Sequence, residues 1–340
     1  MPSPDFEKEL LSAAQFDGSV PAERFSWSFS RERLFRRCRR AFFISCFLSQ
    51  GGWDPLVHPL IRSAYEEKHI LPFRLWLTRT VQNGIAAGLK KAAVLPPDAR
   101  RKAFSSGCLR FLSKNLFDLE FSLEHGEYRS DPKRPCVREC LDGQTDRFPE
   151  LRRLALDSFS AVYAALMKAP WFHDILQLDI LHYRFDDDLI SILFEQWPVW
   201  FSPGLVFFSG KRFNMFLCSA SETVCPPAEE SGPEEDPLPD PAGVTAALFE
   251  MHIRSKWQRE PPQARLFRFG PDGADAEEIR PFPGIRELIR NGASEMFSLI
   301  RPDGTVRFDD FPKTKVPVRC GGCPHTGTCR LLDQWAARHC

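Results

Sequence analysis

No stretch of this 340-residue chain approaches the roughly 18 consecutive apolar residues that a membrane-spanning helix needs. Its first residues, MPSPDFEKELLSAAQF, carry acids and no long apolar segment, so neither a secretory leader nor an anchor is read there. Net charge is missing as well. The 45 Lys and Arg balance 45 Asp and Glu, and without a global positive field a nucleic-acid ligand has to be met by a local basic patch. No internal repeat is visible. What is present, 43% hydrophobic and 26% charged residues, buries a sizeable core and argues against disorder, collagen or a coiled coil. The expectation is a globular cytoplasmic protein with no membrane contact. In a reducing compartment its eleven cysteines point to metal or redox chemistry more than to disulfides.

The polar, Pro-containing residues 1–24 read as a flexible lead-in. From Ser30 to Leu48 the apolar residues Leu34, Phe35, Cys38, Phe42 and Cys46 recur every three or four positions, the period of a helix, with Ser28 or Ser30 as N-cap and the QGGW segment ending it. Helical patterns follow at 59–70, 72–91, 97–125 and 150–169. Between Ile175 and Cys218 the texture changes to short β-branched and aromatic runs, which predict three or four strands with SGKR as a hairpin turn. Residues 226–242 hold six prolines and six acids and predict an exposed loop. A helix over 244–260, a strand over 264–270 and a helix over 284–301 complete the pattern. The division that results is 25–91 for N-terminal helices, 92–174 for a helical insertion, 175–225 for a sheet core, 226–243 for the acidic loop and 244–340 for C-terminal helices with a cysteine loop.

Near the C-terminus Cys320, Cys323 and Cys329 stand in C-x2-C-x5-C spacing in a Gly-rich loop, which suits soft-metal ligation because glycines let backbone approach the metal. The fourth ligand is open among His325, Cys340 and the distant Cys38. The remaining cysteines read as core or surface residues, and Cys136 and Cys140, in C-x3-C spacing with no second pair nearby, leave a second metal site as the alternative.

Two separated segments resemble the iron-sulfur branch of the PD-(D/E)XK nuclease superfamily, which includes RecB-like nucleases, the AddB recombination subunit and the CRISPR-adaptation nucleases. Ser30-Arg-Glu-Arg-Leu34-Phe35-Arg-Arg-Cys38-Arg39-Arg40-Ala-Phe42-Phe43 is similar to the family's opening helix. Phe311-Pro312 followed by Cys320, Cys323 and Cys329 is similar to its close. The resemblance implies an α/β fold, a PD-(D/E)XK-like mixed sheet flanked by helices with a helical insertion. It also implies that Cys38, Cys320, Cys323 and Cys329 ligate a [4Fe-4S] cluster that staples the two ends together. Nearby cations, Arg39 and Arg40 among them, would stabilise so anionic a group. A structural zinc on the same cysteines staples the same ends.

Active members carry an acid at the end of one strand and acid-x-Lys on the next, to hold Mg2+ and orient water. Here Val206 falls where the first acid belongs and Cys218-Ser219-Ala220 where acid-x-Lys belongs. Gln82 or Asn83 stands for a histidine, and the stretch Ala246–Ile253 lacks the later Gln-x-x-x-Tyr. The expectation is therefore a protein with no catalytic residues, which binds nucleic acid or scaffolds partners, such as a helicase or nuclease subunit, in a DNA recombination, repair or antiphage-defence complex. The rival readings are an active Mg-dependent nuclease with acids relocated to Asp179, Asp186–Asp188, Glu195 or Glu222, and a zinc-stapled protein-interaction adaptor. Nucleic-acid contacts are expected from Arg31, Arg33, Arg36, Arg37 and Arg40 on the first helix, with Lys211 and Arg212 at the hairpin tip. Against that stands a solvated helix face whose arginines pair with acids or counter the cluster.

Overall fold

The protein is described from a computed structural model over residues 16–22, 25–54, 56–129, 131, 134–141, 145–177, 182–185, 189–203, 205–209, 212–220, 238–258, 263–270, 273–316, 320 and 323–339. It is a mixed α/β chain in which helices predominate. Two hydrophobic cores divide it: one gathers residues from both ends of the chain, and the other is built almost wholly from the consecutive segment Phe73–Leu176.

The first core begins earlier than the sequence pattern implies. Ser19–Pro21 forms strand β1, paired antiparallel with a late strand over Thr305–Arg307, and Phe16, Val20 and Ala22 are buried. Residues 16–22 are thus not a loose lead-in, because pairing with a strand far along the chain orders them. The helix expected over 30–48 is broken. Helix α1 spans Phe29–Arg37, capped by the Ser28 hydroxyl, which accepts from the Arg31 amide at 3.3 Å. Cys38 is extended, at φ −164° and ψ 112°, and a second short helix α2 covers Arg39–Phe43 before a π-helical turn at Ile44–Leu48. Spacing alone does not reveal such a break, since the apolar period runs straight through it.

Helix α3 covers Pro59–His69, and the two-residue strands β2 (Ile70–Leu71) and β3 (Cys136–Val137) pair in parallel. The second core contains α4 (Phe73–Ala93), α5 (Pro97–His125), α6 (Phe148–Lys168) and α7 (Pro170–Gln177). It therefore starts at Phe73 rather than at residue 92. Helices α4 and α5 cross closely because Gly88 and Gly107 lack side chains; a Cβ on Gly88 falls 2.4 Å from the Cys108 sulfur and 2.8 Å from the Phe104 carbonyl.

Strands β4 (His182–Phe185), β5 (Ile190–Phe194), β6 (Trp197–Phe201), β7 (Leu205–Ser209) and β8 (Arg212–Ala220) follow. Helix α8 (Pro241–Trp257) and strands β9 (Gln263–Gly270) and β10 (Gly273–Glu278) come next. The acidic loop expected over 226–243 lies outside the described residues up to 237, and α8 begins inside its end, where the Asp240 carboxylate accepts from the Gly243 amide at 3.1 Å. The five-stranded sheet runs β10-β9-β8-β7-β4, with β8 and β9 parallel across the α8 connection and every other pair antiparallel. Helices α4 and α6 of the helical body pack against it. The β5–β6 hairpin stands apart and is tied to the first core through Trp27, which bridges Val199.

The chain closes with α9 (Ile285–Phe297), strand β11 (Thr305–Arg307) and α10 (Thr326–His339), the last a helix the Gly-rich spacing did not announce. Helix α9 touches α1 at Gly292. Glu32 of α1 is 0% exposed, accepts from Trp27 Nε1 at 3.0 Å and from Arg36 Nε at 2.9 Å, and its Oε2 occupies the space a Cβ on Gly292 would fill. A buried carboxylate held by two donors fixes the register of the two helices. Among the described residues no helix is long and apolar enough to cross a membrane.

Candidate metal centre

The break at Cys38 has a chemical consequence. As a non-helical residue opening α2, Cys38 serves as its N-cap, and its sulfur lies 3.5 Å from the Ala41 amide. The next free amide of that helix, on Arg40, donates to the Pro312 carbonyl at 3.2 Å. The Phe-Pro segment that leads to the late cysteines is thereby pinned to the early one.

Arg40 strengthens the same junction. Only 8% exposed, it donates from Nε to the Phe311 carbonyl at 2.8 Å and from Nη1 to Asp333 of α10 at 3.1 Å, with its guanidinium 3.6 Å from the centre of the Phe308 ring. Burial lowers its pKa, while the Asp333 carboxylate and the neighbouring thiols Cys329 and Cys38 act in the opposite sense. Phe42, Phe43 and Phe47 pack their rings on Phe311.

The late cysteines are fixed by α3. Glu67 accepts from the Thr328 amide at 3.0 Å, a cap reaching across 261 positions to the first turn of α10, and Ser63 shares a 2.9 Å hydroxyl contact with Thr328. A Cβ on Gly327 would meet Glu67 Oε1 at 2.3 Å, so the close approach requires glycine there. Thr326 donates to the Cys323 carbonyl at 2.8 Å, and the Cys329 amide bonds the His325 carbonyl at 2.9 Å. Cys329 thus sits on a helix rather than in a loop.

These restraints bring Cys38, Cys320, Cys323 and Cys329 to the wall of one cavity of about 120 Å³, room for several water-sized atoms. Leu34, Ala41 and Ile44 supply apolar lining, Arg37 and Lys313 supply the charge, and no carboxylate among the described residues lines it. The four thiols are free and partly exposed. Burial raises the Cys323 pKa and pushes that of Cys329 up to about 11, against the pull of Lys313 and Arg40. Among the described residues no group of three or more His, Cys, Asp or Glu is arranged to hold a metal ion. Sulfur donors beside cations and an apolar wall suit the chemistry of a soft, anionic group. Cys340, one of the open fourth ligands, lies outside the described residues.

His325, 3% exposed, also lines the cavity. Burial lowers its pKa to about 4, so the imidazole is neutral near pH 7 and its 4.0 Å separation from Glu67 is no ion pair. Burial likewise raises the Glu67 pKa, opposed by the bonds from Thr328.

The arginines expected to meet phosphate divide. Arg40 is interior and cannot, because its guanidinium is enclosed by Phe308, Phe311 and Asp333. Arg31 donates to the Ser26 carbonyl and hydroxyl at 2.6 and 2.7 Å. Arg36 bridges Glu32 and Glu295, and Arg39 pairs with Glu295. Arg33 and Arg37 are exposed, Arg37 at the cavity. Lys211 lies outside the described residues, and Arg212 opens β8 opposite Ser209.

In the sheet, Val206 sits in β7 in register with Arg184 and Met215, and Cys218 and Ala220 sit in β8 opposite Phe267 and Phe269 of β9. Of the acids named as replacements, Glu195 turns the β5–β6 hairpin and pairs with Arg290 at 2.5 Å; Asp179, Asp186–Asp188 and Glu222 lie outside the described residues. Sequence reasoning missed Glu67, Lys313 and Asp333. Their only signal is placement across the fold, which spacing along the chain does not carry. Comparison with protein-family models, curated proteins and solved structures finds no match.

Proposed function

We propose that this protein is an iron-sulfur member of the PD-(D/E)XK-like class without nuclease chemistry, working as a nucleic-acid-binding or scaffolding subunit of a DNA recombination, repair or antiphage-defence complex. The observation that carries this reading is the meeting of Cys38 with Cys320, Cys323 and Cys329 at one cavity, across about 280 intervening residues. Cys38, Cys320, Cys323 and Cys329 would hold a [4Fe-4S] cluster, whose contribution is a cross-link between chain ends. Closing so long a loop costs several kcal/mol of chain entropy by the logarithmic scaling, roughly 5 kcal/mol for a loop above 100 residues, so the staple matters to folding. Arg40 and Lys313 supply positive charge beside it.

What supports the nuclease-like reading is the mixed sheet, in which the antiparallel β7–β8 pair is followed by α8 and the parallel strand β9. Val206, Cys218 and Ala220 in that pair provide no oxygen ligands for Mg2+. A helicase or active nuclease subunit is the partner class this reading implies.

Anaerobic purification with absorption spectra and iron, sulfide and zinc analysis tests the staple. About four iron and four sulfide per chain are expected, lost in Cys38→Ser and Cys323→Ser alike. Zinc alone at about one per chain would replace the cluster by a tetrahedral ion. Cleavage of DNA with Mg2+ or Mn2+ that a single acid substitution abolishes would restore the enzyme reading.

A further inference from the structure

The Glu67–His325 pair is left unexplained by a four-cysteine staple. His325 is 3% exposed, faces the cavity among the thiols and leaves Nδ1 buried without a hydrogen-bond partner. Glu67 Oε2, also buried and unpartnered, lies 4.0 Å from that nitrogen. Two orphaned polar atoms facing each other in the interior are costly unless they close on one another. Glu67 is already anchored through its other oxygen to the Thr328 amide, so its carboxylate is held toward the imidazole.

A carboxylate behind one ring nitrogen, with the ring itself on the wall of a thiol-lined cavity, is the arrangement in which histidine ligates metals. The carboxylate takes the rear N–H, fixes the tautomer and leaves the forward nitrogen with its lone pair. We infer that His325 is a donor of this site, ligating the bound group through Nε2 in place of one of the four cysteines, and that Glu67 is its positioning residue. The inference rests on the metal-centre reading above and exchanges one of its sulfur ligands for nitrogen. With five donors around the cavity, one cysteine becomes replaceable. A histidine in place of a thiolate raises the reduction potential of an iron-sulfur centre, because imidazole is neutral where thiolate is anionic.

The full-length chain is purified anaerobically with histidine labelled with 15N, and the wild type is compared with His325→Ala, His325→Gln and Glu67→Gln. In the reduced protein the expected result is a nitrogen hyperfine coupling in the electron paramagnetic resonance spectrum, absent in both His325 variants, together with a lower midpoint potential in them. Glu67→Gln, which keeps the cap on Thr328, should retain iron and sulfide while weakening the nitrogen coupling. The second arm uses cobalt(II) on the apoprotein. There the wild type should give a visible spectrum of mixed sulfur and nitrogen ligation, and the His325 variants one of sulfur alone.

Iron and sulfide retained with no nitrogen coupling, unchanged potential in His325→Ala and identical cobalt spectra would make His325 a wall residue and overturn the inference. Failure to take up iron and sulfide, with a cobalt spectrum that still responds to His325, overturns the cluster and keeps the donor. A chain that binds neither ends both.

Discussion

The body built from both chain ends and the helical body use most of their described cysteines differently, although Cys46 of the first is buried as in the second. In the helical body Cys108, Cys136 and Cys140 are at most 3% exposed and pack like small apolar residues, and burial pushes the Cys108 pKa up to about 12. In the body built from both chain ends Cys38, Cys320, Cys323 and Cys329 are partly exposed around a cavity with cations beside them. The chain connectivity differs in the same sense. The helical body folds from one continuous stretch, Phe73 to Leu176, whose contacts are largely between successive helices. The other joins residues 16–64 to Phe194–Phe201, Ala242–Ile253 and residues from Ile279 onward, and needs long-range closure. Local contacts assemble with little loop entropy, whereas contacts between chain ends carry all of it, and that is where a metal cross-link is most effective.

The largest test of this contrast is metal removal. Chelation, or Cys323→Ser, should strip iron, lower solubility and expose the termini to limited proteolysis, while fragments spanning 73–176 persist. Cys108→Ser should leave metal content untouched and cost about 1–3 kcal/mol in urea unfolding, from a hydroxyl buried in an apolar crossing. Equal proteolysis of both bodies after chelation would remove the distinction.

Next come the two helix crossings. Gly292→Ala places a Cβ 1.9 Å from Glu32 Oε2, and a displaced, fully buried carboxylate should cost about 3–5 kcal/mol. Gly88→Ala meets Cys108 and the Phe104 carbonyl and should cost about 1–3 kcal/mol by overpacking. Thermal and denaturant midpoints read both, and the reverse order would mean that Glu32 finds water when pushed aside.

Each body also holds an arginine that is 8% exposed. Arg40 bonds Phe311 and Asp333; Arg100 bonds the Leu95 and Leu176 carbonyls at 2.8 and 3.2 Å. Replacing either by methionine should cost about 2 kcal/mol through unpaired buried partners. Iron analysis separates them: only Arg40→Met should lower cluster occupancy.

The smallest effect on stability is expected from Arg33→Gln with Arg37→Gln, both exposed. Arg36 is left in place because its bonds to Glu32 and Glu295 are structural. If α1 meets phosphate, the pair should weaken DNA binding and reduce its salt slope by roughly 0.9 per lost contact on duplex DNA. Unchanged affinity and slope would make α1 a cover for the metal centre and favour the adaptor role.

By itself the sequence determined the long helices, the alternation of strands after residue 175 and the clustering of the late cysteines, because each follows from a period or spacing within a few tens of residues. The 97–125 helix is legible to the residue, since Pro97 starts it and Gly126, at φ 65°, stops it. Only the tertiary structure decided that Ser19–Pro21 is a strand, because its partner lies near residue 306. It alone broke the first helix at Cys38, where the Pro312 carbonyl takes the Arg40 amide, and it turned most of an arginine stripe into internal ties. Glu67 and His325 became neighbours in the same way. Their side chains meet because α3 packs on α10, a relation between distant segments that no local pattern encodes.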